Sequence, residues 1–196
     1  MQIARVVQQP PKSLDTYGFI PIRFQVDSKL RLQDLVKSYG REILEDPVEP
    51  YWKDYDLIPS EHPAILASRF DTTDWGVFNA FSNDSHVGGA IVACKTPGFE
   101  AMGATPASAI LVDLRVHPNF RGQGMGSLLF VAAADWAHTN GCHELLVETQ
   151  DTNVPACKFY SAMGFKLASA DPTGYGPDTP EAKLIWRFEF ASSPET

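Results

Sequence analysis

Between residues 75 and 116 the apolar positions fall into three short runs separated by turn-forming residues. Trp75 to Phe81 is aromatic-rich and Val87 to Cys94 is a glycine-started apolar run. The turn Asn83-Asp84-Ser85-His86 joins them, which predicts an antiparallel hairpin. Ala109 to Val116 reads as a third strand. Its alternation puts Ile110, Val112, Leu114 and Val116 on one face and Asp113, Arg115 and His117 on the other, and Pro118 ends it. From Gly124 the period changes: Met125, Leu128, Leu129, Ala132 and Trp136 form one stripe of a helix running to Thr139, with Asn140-Gly141 as its stop. A strand over His143–Thr149, a helix from Asn153 to Gly164 and two strands over Phe165–Ala168 and Lys183–Phe190 follow. Ahead of these, the pattern predicts a strand near Phe19–Val26 and a helix over Lys29–Tyr39. The order β-α-β-β-β-α-β-α-β-β is that of a mixed α/β single domain covering residues 1–196.

Two proline- and glycine-rich stretches, Asp46–Pro63 and Asp171–Pro180, read as long surface loops. The first interleaves Asp46, Glu49, Asp54 and Asp56 with Tyr51, Trp52 and Tyr55, a mixture suited to a cationic, partly apolar amine. The plain alternative is a solvated acidic loop anchored by its aromatics. Tyr175, in the second stretch, is the candidate opposite wall. The net charge of −8 disfavours a general nucleic-acid binder and mildly favours a cationic substrate. No apolar run reaches the ~18 residues of a membrane helix, and Met1–Ser13 is not a secretory signal, so cytoplasm is the default compartment. Cys94, Cys142 and Cys157 are widely spaced and include no Cys-x-x-Cys pair, which argues against a disulfide scaffold and a zinc knuckle.

The segment Arg121-Gly122-Gln123-Gly124-Met125-Gly126-Ser127 lies between a strand and a helix. Its glycines let backbone approach a ligand, and the first helical turn offers unpaired N–H groups at the positive end of the helix dipole. Together they make an anion site suited to phosphate, to which Arg121 and the Ser127 hydroxyl can add donors. The segment lacks the Gly-Lys-Ser/Thr of a nucleotide P-loop, and its Gly-x-Gly-x-Gly spacing differs from the dinucleotide fingerprint. Taken alone, it is equally a tight strand-to-helix connection.

Arg-x-x-Gly-x-Gly after Leu114-Arg115-Val116-His117-Pro118 resembles the acetyl-CoA signature of the GNAT acetyltransferase superfamily. A second block matches too: Glu148-Thr149-Gln150-Asp151-Thr152-Asn153, then Ala156, Phe159-Tyr160 and Gly164-Phe165. The resemblance covers roughly residues 75–190, and Val147–Tyr160 looks most like the streptothricin acetyltransferase branch. It implies a GNAT fold, a mostly antiparallel mixed sheet flanked by helices, with the cofactor half over roughly residues 107–190. It also implies acetyl transfer from acetyl-CoA to an amine, without a metal and with a small-molecule partner. Nucleic acid and membrane are not expected partners, a homodimer is left open, and the branch brings antibiotic resistance into view. Acetylation of a protein N-terminus or lysine, and a non-catalytic acyl-CoA sensor, are the alternatives.

By the same resemblance, the backbone of Leu114, Arg115 and Val116 pairs with the pantetheine arm, and the Val116 region supplies an N–H to the thioester carbonyl. The turn from Arg121 through Gly122, Gln123, Gly124, Met125, Gly126 and Ser127 takes the pyrophosphate. Asn153 contacts the cofactor, a role compatible with capping the helix, which Pro155 in the first turn reinforces. Tyr160 points its hydroxyl at the departing sulfur. A phenol near ~10 is a weaker acid than a thiol near ~8.5, so a hydrogen bond to the thiolate is the larger part of that role. The alternative for Tyr160 is aromatic packing beside Phe159. Glu148 precedes Tyr160 by twelve positions, the spacing of the glutamate base in the branch that acetylates protein N-termini. Glu148 is therefore the candidate base, with anchoring of a cationic substrate as the competing role. Asp113 is the second candidate; an ion pair with Arg115 on the same strand face is its structural alternative.

Overall fold

The computed structural model describes residues 4–59 and 62–191; Ser60 and Glu61, at the end of the first predicted loop, lie outside the described residues. The chain gathers into two compact units, one of Met1–Phe24 with Asp54–Leu145, the other of Gln25–Lys53 with Leu146–Thr196.

The first unit is built on four antiparallel strands in the order β1 (Ala4–Gln9), β4 (Trp75–Ser82), β5 (Ser85–Cys94) and β6 (Ser108–Val116). The predicted hairpin is β4–β5, closed tightly between Ser82 and Ser85 with Asn83 at φ +52°. Gly88 and Gly89 are adjacent on β5, and each lets a side chain pack directly on the strand's backbone. A Cβ on Gly89 would meet the Tyr17 ring at 2.2 Å, and one on Gly88 would meet Leu129 Cδ1 at 3.1 Å. Tyr17 ends the short helix α1 (Leu14–Tyr17), Leu129 belongs to helix α4 (Met125–Thr139), and another short helix, α3 (Leu66–Arg69), precedes β4. The N-terminal strand β1 and helix α1 carry too little periodicity to be read from sequence.

Helix α4 differs from its predicted stripe. Met125, Leu129, Phe130, Ala133, Ala134 and Ala137 are buried, whereas Leu128 is 44% exposed. The inward face joins the i, i+4 row Met125, Leu129, Ala133 and Ala137 to the adjacent pair Phe130 and Ala134, and its small alanine side chains allow close approach to a sheet; the bulkier stripe drawn from hydrophobicity alone lies partly outside it. Gly141, at φ +82°, ends α4 as predicted, with Gly141 N–H donating to His138 O and Cys142 N–H to Ala137 O. The turn also brings Cys142 Sγ to 3.1 Å from Cys94 Sγ, an approach across 48 positions that the cysteine spacing conceals.

In the second unit, β2 (Phe24–Leu30, its first residue in the first unit) pairs with β3 (Glu45–Lys53), and three further strands run in the order β7 (Glu144–Gln150), β9 (Lys183–Glu189), β8 (Lys166–Asp171). Strand β7 spans the boundary, its first two residues belonging to the first unit. Strand β2 begins several residues later than predicted, and the helix behind it, α2, is limited to Leu32–Lys37. Strand β3 replaces the first part of the first predicted loop, as far as Lys53. Pro47 and Pro50 concealed it, because proline is confined to edge positions in sheets, and β3 belongs to a sheet of only two strands. Asp151, fully buried after β7, accepts from Ala182 N–H at 2.9 Å and pairs with Lys29 at 3.2 Å. Glu181 Oε1 accepts from Lys53 Nζ at 2.6 Å and from the Thr152 hydroxyl at 2.7 Å. Helix α5 (Val154–Ala162) completes this unit. Among the described residues, no helix is long and apolar enough to cross a membrane.

Candidate active site

The glycine turn is formed by backbone conformation rather than by lack of room. Gly122 and Gly124 have φ of +70° and +83°, a region that disfavours residues with a Cβ, yet nothing lies within 4 Å of the Cβ either would carry. The turn is therefore open on its outer side. Gly124 caps α4 without a side chain, and the first turn holds no acidic residue. The leading N–H groups of a 15-residue helix thus meet neither a capping side chain nor a repelling carboxylate. This donor set fits a phosphate group.

Arg121, expected to add a donor there, is occupied otherwise. Its Nε donates to Val116 O at 2.9 Å, and its Nη2 donates to Ile22 O and Arg23 O at 3.2 and 3.0 Å. The guanidinium ties the end of β6 to residues 22 and 23, so Arg121 fixes the turn from behind. Gln123 Nε2 donates to Asn119 O, tightening the same loop. Met125 is buried and anchors the helix start, while Gly126 and Ser127 are half-buried in its first turn.

Strand β6 has a register shift opposite Ile91/Val92, where Ile91 faces Asp113 and Val92 faces Leu111. The shift breaks the strict alternation predicted from sequence, so Leu114 and Val116 are half-buried and Arg115 is buried. Arg115 is held by its surroundings. Its Nε and Nη2 reach the two oxygens of Asp113 at 2.9 and 2.6 Å, and its Nη1 reaches both oxygens of Asp56 at 3.1 Å and Ile20 O at 3.0 Å. The Tyr17 ring lies under the guanidinium, 5.3 Å from its centroid, and the Tyr17 hydroxyl donates to Asp113 Oδ1 at 2.6 Å. Burial opposes the Arg115 charge, but the two carboxylates outweigh it and hold its pKa above the ordinary value. Burial, then Asp113, raises the Tyr17 phenol well above its usual range, keeping it neutral and donating.

Asp113 and Asp56 are thus matched to Arg115. Asp54 accepts from Asp56 N–H at 3.1 Å and caps the short helical turn Tyr55–Leu57. Of the residues proposed from the first loop, Trp52 remains 66% exposed on β3.

In the second unit the strand β7 alternates between buried and half-buried positions, which puts Glu148 and Gln150 on one face and Val147 and Thr149 on the buried one. Tyr175 meets both residues of that face. Its hydroxyl donates to Glu148 Oε1 at 2.9 Å and accepts from Gln150 Nε2 at 2.9 Å. The structure brings Glu148 and Tyr175 together across 27 positions, a pairing absent from the sequence reading, which also passed over Gln150. Asn153 caps α5, its side-chain oxygen accepting from Ala156 N–H at 3.2 Å, with proline in the first turn. Tyr160 is buried on α5, its ring 5.4 Å from that of Phe165, and its carbonyl accepts from Phe165 N–H. Cys157 is fully buried, and burial pushes its thiol pKa up, which suits packing rather than nucleophilic chemistry.

A strand, an open glycine turn and a helix start without a capping side chain form a site for a phosphate-bearing ligand. The chain belongs to the acetyltransferase (GNAT) family, whose profile matches residues 32–165. It is 33% identical over 84 residues to streptothricin acetyltransferase A of Bacillus subtilis, a match covering 42% of this chain and 49% of that protein, so the aligned stretch spans about half of that relative. It is 26% identical over 171 residues to a streptothricin acetyltransferase of Escherichia coli, covering 87% of this chain and 84% of the relative. Among solved structures, a Bacillus anthracis protein assigned as a streptothricin acetyltransferase, in complex with acetyl coenzyme A, superposes with a TM-score of 0.74. That superposition has 21% identity and covers 96% of this chain and 100% of the other. The likeness establishes the GNAT fold.

Proposed function

We propose that this chain works as one N-acetyltransferase domain that moves an acetyl group from acetyl-CoA to a primary amine of a small cationic molecule of the streptothricin type. The observation that carries the reading is the open glycine turn before α4, with no side-chain cap and no acid in its first turn, on a chain of this family. Acetyl-CoA supplies an activated acyl group and a diphosphate handle. The backbone from Gly122 to Ser127 takes the diphosphate, and the backbone of Leu114 to Val116 takes the pantetheine amides. Arg121 and Arg115 serve by fixing those two segments. Glu148 accepts the proton that the amine must lose before it can attack. Asn153 assists cofactor binding from the α5 cap, and the Tyr160 hydroxyl hydrogen-bonds the sulfur as the thiolate leaves.

The acidic net charge and the streptothricin relatives support a cationic acceptor. With Asp56 matched to Arg115, exposed groups on β3 such as Glu49 and Trp52 are better suited to meet it. A thiol-release assay with acetyl-CoA and a panel of amines tests the reading. Streptothricin should release CoA with a higher kcat/KM than a peptide N-terminus or lysine. CoA release fastest with the peptide would replace the acceptor, and cofactor binding with no release for any amine would make the chain a sensor.

Tyr160→Phe should lower kcat by about tenfold while leaving acetyl-CoA affinity unchanged, the loss of one hydrogen bond to a charged atom. Wild-type turnover in this variant would reduce Tyr160 to its packing against Phe165.

A further inference from the structure

The polarity of the Gln150–Tyr175–Glu148 chain is fixed by its chemistry. An ionised carboxylate only accepts, so the proton between Tyr175 and Glu148 Oε1 must be the phenol's. The phenol has no second proton, so Gln150 must donate to it, as its Nε2 at 2.9 Å does. One carboxylate oxygen of Glu148 is thereby held, and Oε2 is left to accept a proton from an incoming group. A glutamate on a strand otherwise turns through several χ angles, and an approaching amine would meet the correct orientation only part of the time.

Tyr175 is itself anchored on both sides. Asp171 Oδ1 accepts from Thr173 N–H and the Thr173 hydroxyl at 2.9 and 3.0 Å. Thr179 Oγ1 donates back to Tyr175 O at 3.0 Å, and Gly176 N–H donates to Thr173 O at 2.8 Å. Gly174 lies so close to Lys183 that a Cβ there would fall 2.7 Å from the lysine's own. The turn after β8 is therefore a fixed mount for one phenol rather than a loose flap. The carboxylate and Gln150, which donates to the phenol, lie on the same side of β7, since Glu148 and Gln150 are two residues apart.

From this we infer that Tyr175 is a positioning residue for Glu148: it orients the proton-accepting carboxylate and does not itself form the wall of the amine pocket. The inference rests on the proposed role of Glu148 as base. Tyr175→Phe keeps the ring and removes only the donor. It should lower kcat about tenfold and leave the KM for amine and for acetyl-CoA unchanged. In a Glu148→Gln background the same substitution should cost nothing further, because the group it orients has already been disabled. Gln150→Leu should give a smaller loss in the same direction. A ligand-free crystal structure of Tyr175→Phe should show the Glu148 carboxylate displaced from its position in the parent protein.

A full tenfold loss persisting in the Glu148→Gln background, or a rise in amine KM alone, would make Tyr175 a substrate contact and overturn the inference. Undiminished kcat in Tyr175→Phe would do the same while leaving Glu148 as base. If Glu148→Gln itself turns over normally, the base role fails and the positioning role falls with it; that outcome is distinguished by the single Glu148 variant.

Discussion

Glu148→Gln is expected to lower kcat by about 10²–10⁴-fold, with the deficit greatest at low pH. The amide is nearly isosteric and its oxygen can still accept from Tyr175, so the hydrogen bond at 2.9 Å and the strand around it are preserved. Only the ability to take a proton is removed. At low pH nearly all of the amine is protonated, and an enzyme without a base must wait for the rare neutral molecule. At high pH the neutral amine is abundant and the base has less to do, so the rates of the variant and the parent should converge. The measurement is kcat and kcat/KM against pH for both proteins with one amine. A deficit independent of pH and confined to KM would identify Glu148 as an anchor for the cation instead. The fold gives no reason to expect instability, because Glu148 is half-buried and makes no ion pair among those described.

What could be read directly from the chain was local. The Gly122-Gln123-Gly124 turn, the α4 stop at Asn140-Gly141 and the Asn153 cap are each written in contiguous residues whose backbone preferences point one way. The elements that escaped depend on distant partners. Strand β3 carries prolines and charges that signal a loop unless β2 is known to lie beside it. The pairing of Asp113 with Arg115, two residues along one strand, could be read from the sequence; Tyr17 and Asp56, which complete the cluster around the guanidinium from distant parts of the chain, could not. Tyr175 was legible as a loop aromatic; its hold on Glu148 depends on how a turn 27 residues away folds back onto β7. For the same reason the cofactor half is more readable than the acceptor half. A phosphate cradle is a backbone motif, whereas an amine pocket is a set of side chains gathered from several segments.

The buried guanidinium makes the second large prediction. Arg115→Met should destabilise the protein by about 3–5 kcal/mol, because it strands two carboxylates that have given up water for one cation. At about 2–4 °C of Tm per kcal/mol for a chain of this size, the fall should be on the order of 10 °C, measurable by thermal or urea unfolding. Asp56→Asn should cost less, since the Asp56 side chain is 20% exposed against 11% for Asp113, and water can partly replace what it gives. The sign of the combined change separates the two sources of the loss. Adding Asp113→Leu to Arg115→Met removes a stranded charge and should recover part of the stability, whereas a pair valued for its own attraction would lose nothing more and regain nothing. The same variants bear on function through backbone geometry. Asp113 and Arg115 flank Leu114 on the bulged end of β6, and Tyr17 closes the cluster against Gly89 of β5. If that strand end binds the pantetheine arm, Arg115→Met should raise the KM for acetyl-CoA even at a temperature where it remains folded, while Asp56→Asn leaves that KM close to the parent's. An unchanged KM in the folded Arg115→Met protein would confine the cluster to stability, and the cofactor would be held by the glycine turn without help from the charge beneath β6.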